Sequence, residues 1–137
     1  PEELTAFLTP LVDAGVDIFH CSTRRYWEKE FENSAVDGHL NLAGWTKKIT
    51  GKPVITVGSV GLNTSFVGEE HGLQMSAKAG IEASSITELA ERLDNKEFDL
   101  VAVGRALIQD PKWAIKVRDN RLDELQDYSK DSLMQLV

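Results

Sequence analysis

The chain reads as an α/β protein with parallel strands, about three strand-helix units of an eight-stranded β/α barrel. Two patterns predict this. Helix-like and strand-like segments alternate along 137 residues, and no hairpin signal joins one strand to the next. Parallel neighbours need crossovers of a dozen or more residues, which the intervening helices supply. A third observation concerns the strand ends: two strands close in the same kind of turn, Val57-Gly58-Ser59 and Val103-Gly104-Arg105. Strand starts at Val16, Pro53 and Phe98 lie about 40 residues apart, against roughly 31 per unit in such a barrel, so insertions are expected. Three strands cannot close an eight-stranded barrel, and residues 1–137 are expected to form one partial domain.

Each element has a local cause. Leu4, Phe7, Leu8, Leu11 and Val12 recur at helical spacing behind Pro1 and the acidic pair Glu2/Glu3, with Gly15 placed to stop the helix. Val16 to Phe19 reads as the first strand. Leu42, Trp45 and Ile49 predict a helix from about Leu42 to Thr50 that ends at Gly51, and Pro53 to Val57 is the second strand. Ser85-Ile86-Thr87-Glu88 has the form of a capping box and opens a third helix through Leu89, Ala90 and Leu93. Phe98 to Val103 is the third strand. Asp110 and Pro111 announce a helix carrying Trp113, Ala114 and Val117, and the tail from Arg121 is weakly helical at best. Two connections, 21–41 and 59–84, exceed the usual length of loops without a role, and both follow the carboxyl end of a strand, where parallel α/β folds assemble their sites. Inert surface insertions are the equal alternative.

The stretch Asp99 to Pro111 carries the chemistry. Its apolar run ends at Gly104, where the missing side chain lets an anion approach the backbone, and Arg105 adds a fork-shaped cation at a helix start. Lys52 to Gly61 ends in the same way one strand earlier, so two adjacent ends would supply donors to one phosphate. Taken singly, Gly58 and Gly61 are as readily turn glycines and Arg105 a solvated arginine; their joint occurrence favours the site. Such a site positions a ligand and supplies no acid, base or nucleophile.

Other candidates are weaker. His20 and Cys21 are adjacent on a strand and point to opposite faces, so they form no nucleophile-base pair, and Cys21 reads as a structural thiol. His20 stands where it could face a ligand, with a structural hydrogen bond the commoner role. His39 and His71 read as loop residues. Arg24-Arg25-Tyr26-Trp27 could cover a planar ligand or pack beneath its own loop. Trp45 and Trp113 fall at helical spacing among aliphatic residues and are expected in the core.

Composition excludes whole classes. With 15 Lys+Arg against 22 Asp+Glu the formal net charge is −7, which repels a polyanion, so nucleic acid is not an expected partner. One cysteine leaves no internal disulfide, no Cys/His spacing marks a metal site, and no apolar run marks a membrane span, so a cytoplasmic location is expected. The chain opens without methionine inside a helical pattern and reads as a piece of a longer protein.

Three segments together, His20-Cys-Ser-Thr-Arg-Arg-Tyr-Trp-Glu-Lys-Glu-Phe31, Lys52-Pro-Val-Ile-Thr-Val-Gly-Ser-Val-Gly61 and Val103-Gly-Arg-Ala-Leu-Ile-Gln-Asp-Pro111, resemble the C-terminal part of the Old Yellow Enzyme family, the FMN-dependent NAD(P)H:flavin oxidoreductases or ene-reductases. The resemblance implies a TIM (β/α)8 barrel of which this chain supplies the sixth to eighth strands, the N-terminal part being absent. It implies that Val57, Gly58 and Ser59 meet the phosphate and ribityl chain of noncovalent FMN. Val103, Gly104 and Arg105 would hold the phosphate, with the Arg105 stem near the flavin ring. Ala102 departs from the glycine common in relatives, a change that keeps the backbone amide, and the connection after Ser59 is longer than usual. The family's substrate-anchoring histidines, proton-donating tyrosine and flavin-pyrimidine contacts belong to strands this chain lacks, so no residue here inherits a catalytic role. The whole enzyme is expected to use NAD(P)H to reduce small enone-type substrates and could be a homo-oligomer, while the piece alone would be inactive. The competing expectations are a self-associating α/β phosphate-binding module and a part of another phosphate-binding barrel enzyme.

Overall fold

Three parallel strands set the frame: β1 (Phe19–Ser22), β2 (Val54–Val57) and β3 (Leu100–Val101), hydrogen-bonded in the order β1-β2-β3. The computed structural model describes residues 1–35, 37–62 and 86–135. Helices alternate with the strands: α1 (Glu2–Asp13), α2 (Leu42–Thr50), α3 (Ile86–Asp94), α4 (Arg105–Gln109) and α5 (Trp113–Arg118), followed by short 3-10 helices at Leu122–Glu124 and Lys130–Gln135. The chain is therefore an α/β fold built on a three-stranded parallel sheet, as the alternation predicts.

Register explains which side of the sheet is covered. Phe19 pairs with Val54, His20 with Ile55, Cys21 with Thr56, and Thr56 in turn with Val101. Cys21, Val54 and Thr56 are buried, and the core cluster joins Cys21 and Val54 to Ala43 of α2, Leu89 of α3 and Phe98. The alternate residues face away from the helices: His20 and Ser22 are exposed, Ile55 and Val57 half-buried, and Leu100 is 52 % exposed. One face thus carries the helical layer. Among the described residues, nothing comparable covers the other.

The first strand begins three residues later than its apolar pattern predicts. Val16 is still held by the helix end, its N–H donating to Leu11 O at 3.1 Å, and pairing begins where Phe19 N–H donates to Pro53 O. Apolar alternation reports burial, and on a strand with one uncovered face it misplaces the paired segment. The third strand is shorter than the expected Phe98 to Val103, although Asp99 N–H to Val54 O and Ala102 N–H to Thr56 O, each 2.9 Å, extend its hydrogen bonding. Leu8 of α1 is buried, but Phe7, expected on the same apolar stripe, is 67 % exposed. Gly15 (φ 93°) and Gly51 (φ 64°) end their helices as expected. Ser85 of the expected capping box lies outside the described residues.

A buried polar cluster ties the layers together. Asn41 caps α2, accepting from Gly44 N–H at 2.9 Å, while its Nδ2 donates to Tyr26 O at 2.7 Å and Thr56 Oγ1 at 3.2 Å. Arg92 of α3 donates to the same Tyr26 carbonyl at 3.3 Å and to Glu97 at 2.8 Å. At the sheet's opposite edge Lys47 of α2 donates to Asp99, whose other oxygen accepts from Val54 N–H at 2.9 Å. The Lys47 bond holds the Asp99 carboxyl below its usual range, burial opposes it, and the Val54 amide adds to the lowering.

Two outcomes follow from this packing. Asn41→Ala leaves buried donors and acceptors without partners and removes a cap, so urea denaturation should report a loss of about 2 to 4 kcal/mol. Asp99 has a depressed folded pKa, so its contribution is present above the unfolded value near 3.9 and disappears as pH falls through the lower folded value. The stability difference between wild type and Asp99→Asn should therefore be present at pH 7 and shrink as pH falls below the unfolded value near 3.9.

Candidate functional site

Parallel pairing of Ile55 with Leu100 and Thr56 with Val101 brings the carboxyl ends of β2 and β3 side by side. The two turns singled out in the sequence leave neighbouring strands at one edge of the sheet, the edge where parallel α/β folds place ligands.

The upstream turn is largely engaged by the protein itself. Val57 O accepts from Thr23 N–H at 3.0 Å and Thr23 Oγ1 at 2.9 Å, Gly58 O accepts from Tyr26 N–H at 3.0 Å, and Ser59 Oγ donates to Arg24 O at 2.9 Å. Gly58 has φ 156°, and a Cβ there would lie 2.7 Å from Thr23 Oγ1 and 2.9 Å from Tyr26 N. This glycine exists for close backbone approach by the loop after β1. Ser59 is buried, with φ 52°. Gly61 (φ 66°) is a turn glycine beside Trp113, and a Cβ added there would lie 3.0 Å from Trp113 Nε1.

The downstream turn is different. Val103 is half-buried against the core, and Gly104 is exposed with a negative φ of −108°. Among the described residues, no atom lies within 4 Å of where its Cβ would stand. Arg105 opens α4 half-buried, its guanidinium 5.7 Å from the Tyr128 ring centroid, and burial pulls its pKa below the ordinary arginine value. Since α4 spans five residues, the positive charge at this turn resides mainly on Arg105 and little on a helix dipole. Tyr128 was not legible as part of this environment: it is a lone aromatic in a polar tail.

The remaining candidates resolve as structure. Tyr26 is fully buried, edge-on to Trp27 at 5.1 Å, and its phenol is pushed well above the usual range, first by burial. It packs beneath its own loop and offers no ring to a planar ligand. Arg25 pairs with Glu28 at 2.6 Å. Cys21 is buried against Thr46, its Sγ 3.4 Å from Oγ1, with burial raising the thiol pKa, which makes it a poor nucleophile. His20 lies on the other face, 3.1 Å from Ser22 Oγ. Trp45 is core and donates to Glu30 O at 3.2 Å, and Trp113 is core too. The 21–41 connection is a brace rather than a bare insertion. His39 lines an open groove of ≈ 550 Å³ with Lys47, Lys48 and Lys96 in the helical layer, away from the strand ends. Lys47 and Lys48 are already paired there with Asp99 and Asp37. His71 and residues 63–84 of the second long connection lie outside the described residues. Among the described residues no group of His, Cys, Asp or Glu is arranged to hold a metal ion, and no helix is long and apolar enough to cross a membrane.

No family model matches the chain, and comparison with curated proteins finds no relative.

The two glycines should respond differently to the same change. Gly58→Ala forces a Cβ into the Thr23–Tyr26 backbone and should cost more than about 2 kcal/mol in urea denaturation. Gly104→Ala, which meets no atom of the described residues, should cost less than Gly58→Ala.

Proposed function

We propose that the chain is the FMN-phosphate-binding C-terminal portion of an NAD(P)H-dependent flavin oxidoreductase of the Old Yellow Enzyme type. The whole enzyme would reduce activated alkenes. The observation that carries this is the pairing of two strand ends at one edge, one of them presenting an open glycine next to a half-buried arginine.

A barrel context is supported by the sheet itself. Strands that neighbour one another in chain order, with the helices on one side, lack the reversal of order that lets a doubly wound sheet cover both faces. Closing such a sheet into a barrel turns the uncovered side inward, and it gives the edges of β1 and β3 partners. A second copy laid on that face does less. Strands of four residues at about 4.8 Å spacing make a face of roughly 200 Å², well short of the roughly 800 Å² per partner of a stable interface.

The residues present fit the phosphate end of FMN unequally. Gly104 and Arg105 offer room and charge, while Gly58 and Ser59 give a rigid neighbouring edge whose side-chain and carbonyl groups are already used. Bound FMN would supply hydride exchange with NAD(P)H and with an electron-poor alkene. This chain's share is to hold and orient the phosphate, with the Arg105 charge opposite it.

Flavin fluorescence tests the assignment. FMN titrated with the chain should be quenched, riboflavin, which lacks the phosphate, should bind at least tenfold more weakly, and inorganic phosphate should compete. Arg105→Ala should weaken FMN binding about 10- to 100-fold, the usual weight of a charge-assisted contact. Equal binding of riboflavin and FMN would contradict the phosphate site. Binding of sugar phosphates without FMN would favour a different barrel enzyme.

A further inference from the structure

The end of the chain folds back over α4. Gln109 Oε1 accepts both Ser129 N–H at 2.9 Å and Ser132 Oγ at 2.8 Å, fastening the Lys130–Gln135 turn to the helix. Arg105 and Gln109 are four residues apart on α4 and so share a face. On that face Tyr128 lies half-buried against the core with its ring beside the Arg105 guanidinium, 5.7 Å from the centroid. Leu125, also packed on the core, anchors the approach to it.

We propose that residues 125–135 form a strap that positions Arg105 for anion binding, Tyr128 holding the guanidinium over its ring and Gln109 fastening the strap. The inference rests on the reading of Arg105 given above. Its chemistry is specific. A cation over a ring face is attracted by the ring's quadrupole, so the Tyr128 ring holds the guanidinium in place and leaves its positive charge intact. A long arginine chain otherwise loses rotamer freedom when an anion orders it, and a strap that orders it beforehand removes that cost from binding. Coupling is reciprocal: a docked strap that tightens anion binding is itself held more firmly by the anion.

The test uses the 137-residue chain with FMN and inorganic phosphate as probes. Tyr128→Leu should weaken FMN about 3- to 30-fold, as loss of a partly buried cation–π contact predicts. Tyr128→Phe, which keeps the ring, should stay within about twofold of wild type. Gln109→Ala releases the strap without touching the Tyr128 packing and should also weaken FMN, which guards against Tyr128→Leu simply failing to fold. Phosphate should slow tryptic cleavage after Lys130 in the wild type and have no such effect in Arg105→Ala, a coupling that a purely structural tail would not show. If wild type binds FMN while Tyr128→Leu and Gln109→Ala bind it equally well, the strap is overturned and the anion site stands. Wild type that binds neither FMN nor phosphate overturns both.

Discussion

The carbonyl of Tyr26 is the point on which the layers depend. It is buried with its residue, and it accepts one hydrogen bond from Asn41 at the start of α2 and another from Arg92 of α3. Asn41 also reaches Thr56 on β2, so one carbonyl joins the loop after β1, two helices and the central strand. A buried polar group of this kind stabilises modestly when satisfied and costs heavily when it is not, so it selects one arrangement of the surrounding elements. The same loop then grips the end of β2 through Val57, Gly58 and Ser59. The carboxyl edge of the sheet at β2 is built on this grip.

That rigidity divides the labour between the two strand ends. The β2 end is a fixed support whose glycine answers to the protein's own packing. At the β3 end no described residue packs against the glycine, and the cation next to it is half-buried with its guanidinium over an aromatic ring. An anion bound there would meet a preformed wall on one side and a preoriented charge on the other, which is how a site holds a phosphate without large reorganisation.

Much of this frame was legible in the sequence because its causes are local. Gly15 and Gly51 stop helices through backbone conformation, Leu42 to Thr50 carries its own periodicity, and the Val-Ile-Thr-Val run fixes β2. The first strand was misplaced because Val16 and Ile18 are apolar for reasons other than pairing, while His20 and Ser22 pair although polar. Phe7 matched the helical spacing, yet which flank of a helix meets its neighbour is a tertiary fact. At the site, Gly58 and Gly104 look alike as letters, and only their surroundings separate a packing glycine from an open one. Tyr128 was invisible because stacking between residues of a helix and a distant tail leaves no periodic trace.

The central claim is that the ends of β2 and β3 serve one anion. Amide chemical shifts of the isotopically labelled chain, followed while inorganic phosphate is added, address it directly. The account predicts that Ser59, Gly104 and Arg105 move together along a single binding curve while His39 and Lys96 in the helical-layer groove stay still. Shifts confined to that groove, or Gly104 and Arg105 unmoved at saturating phosphate, would contradict it.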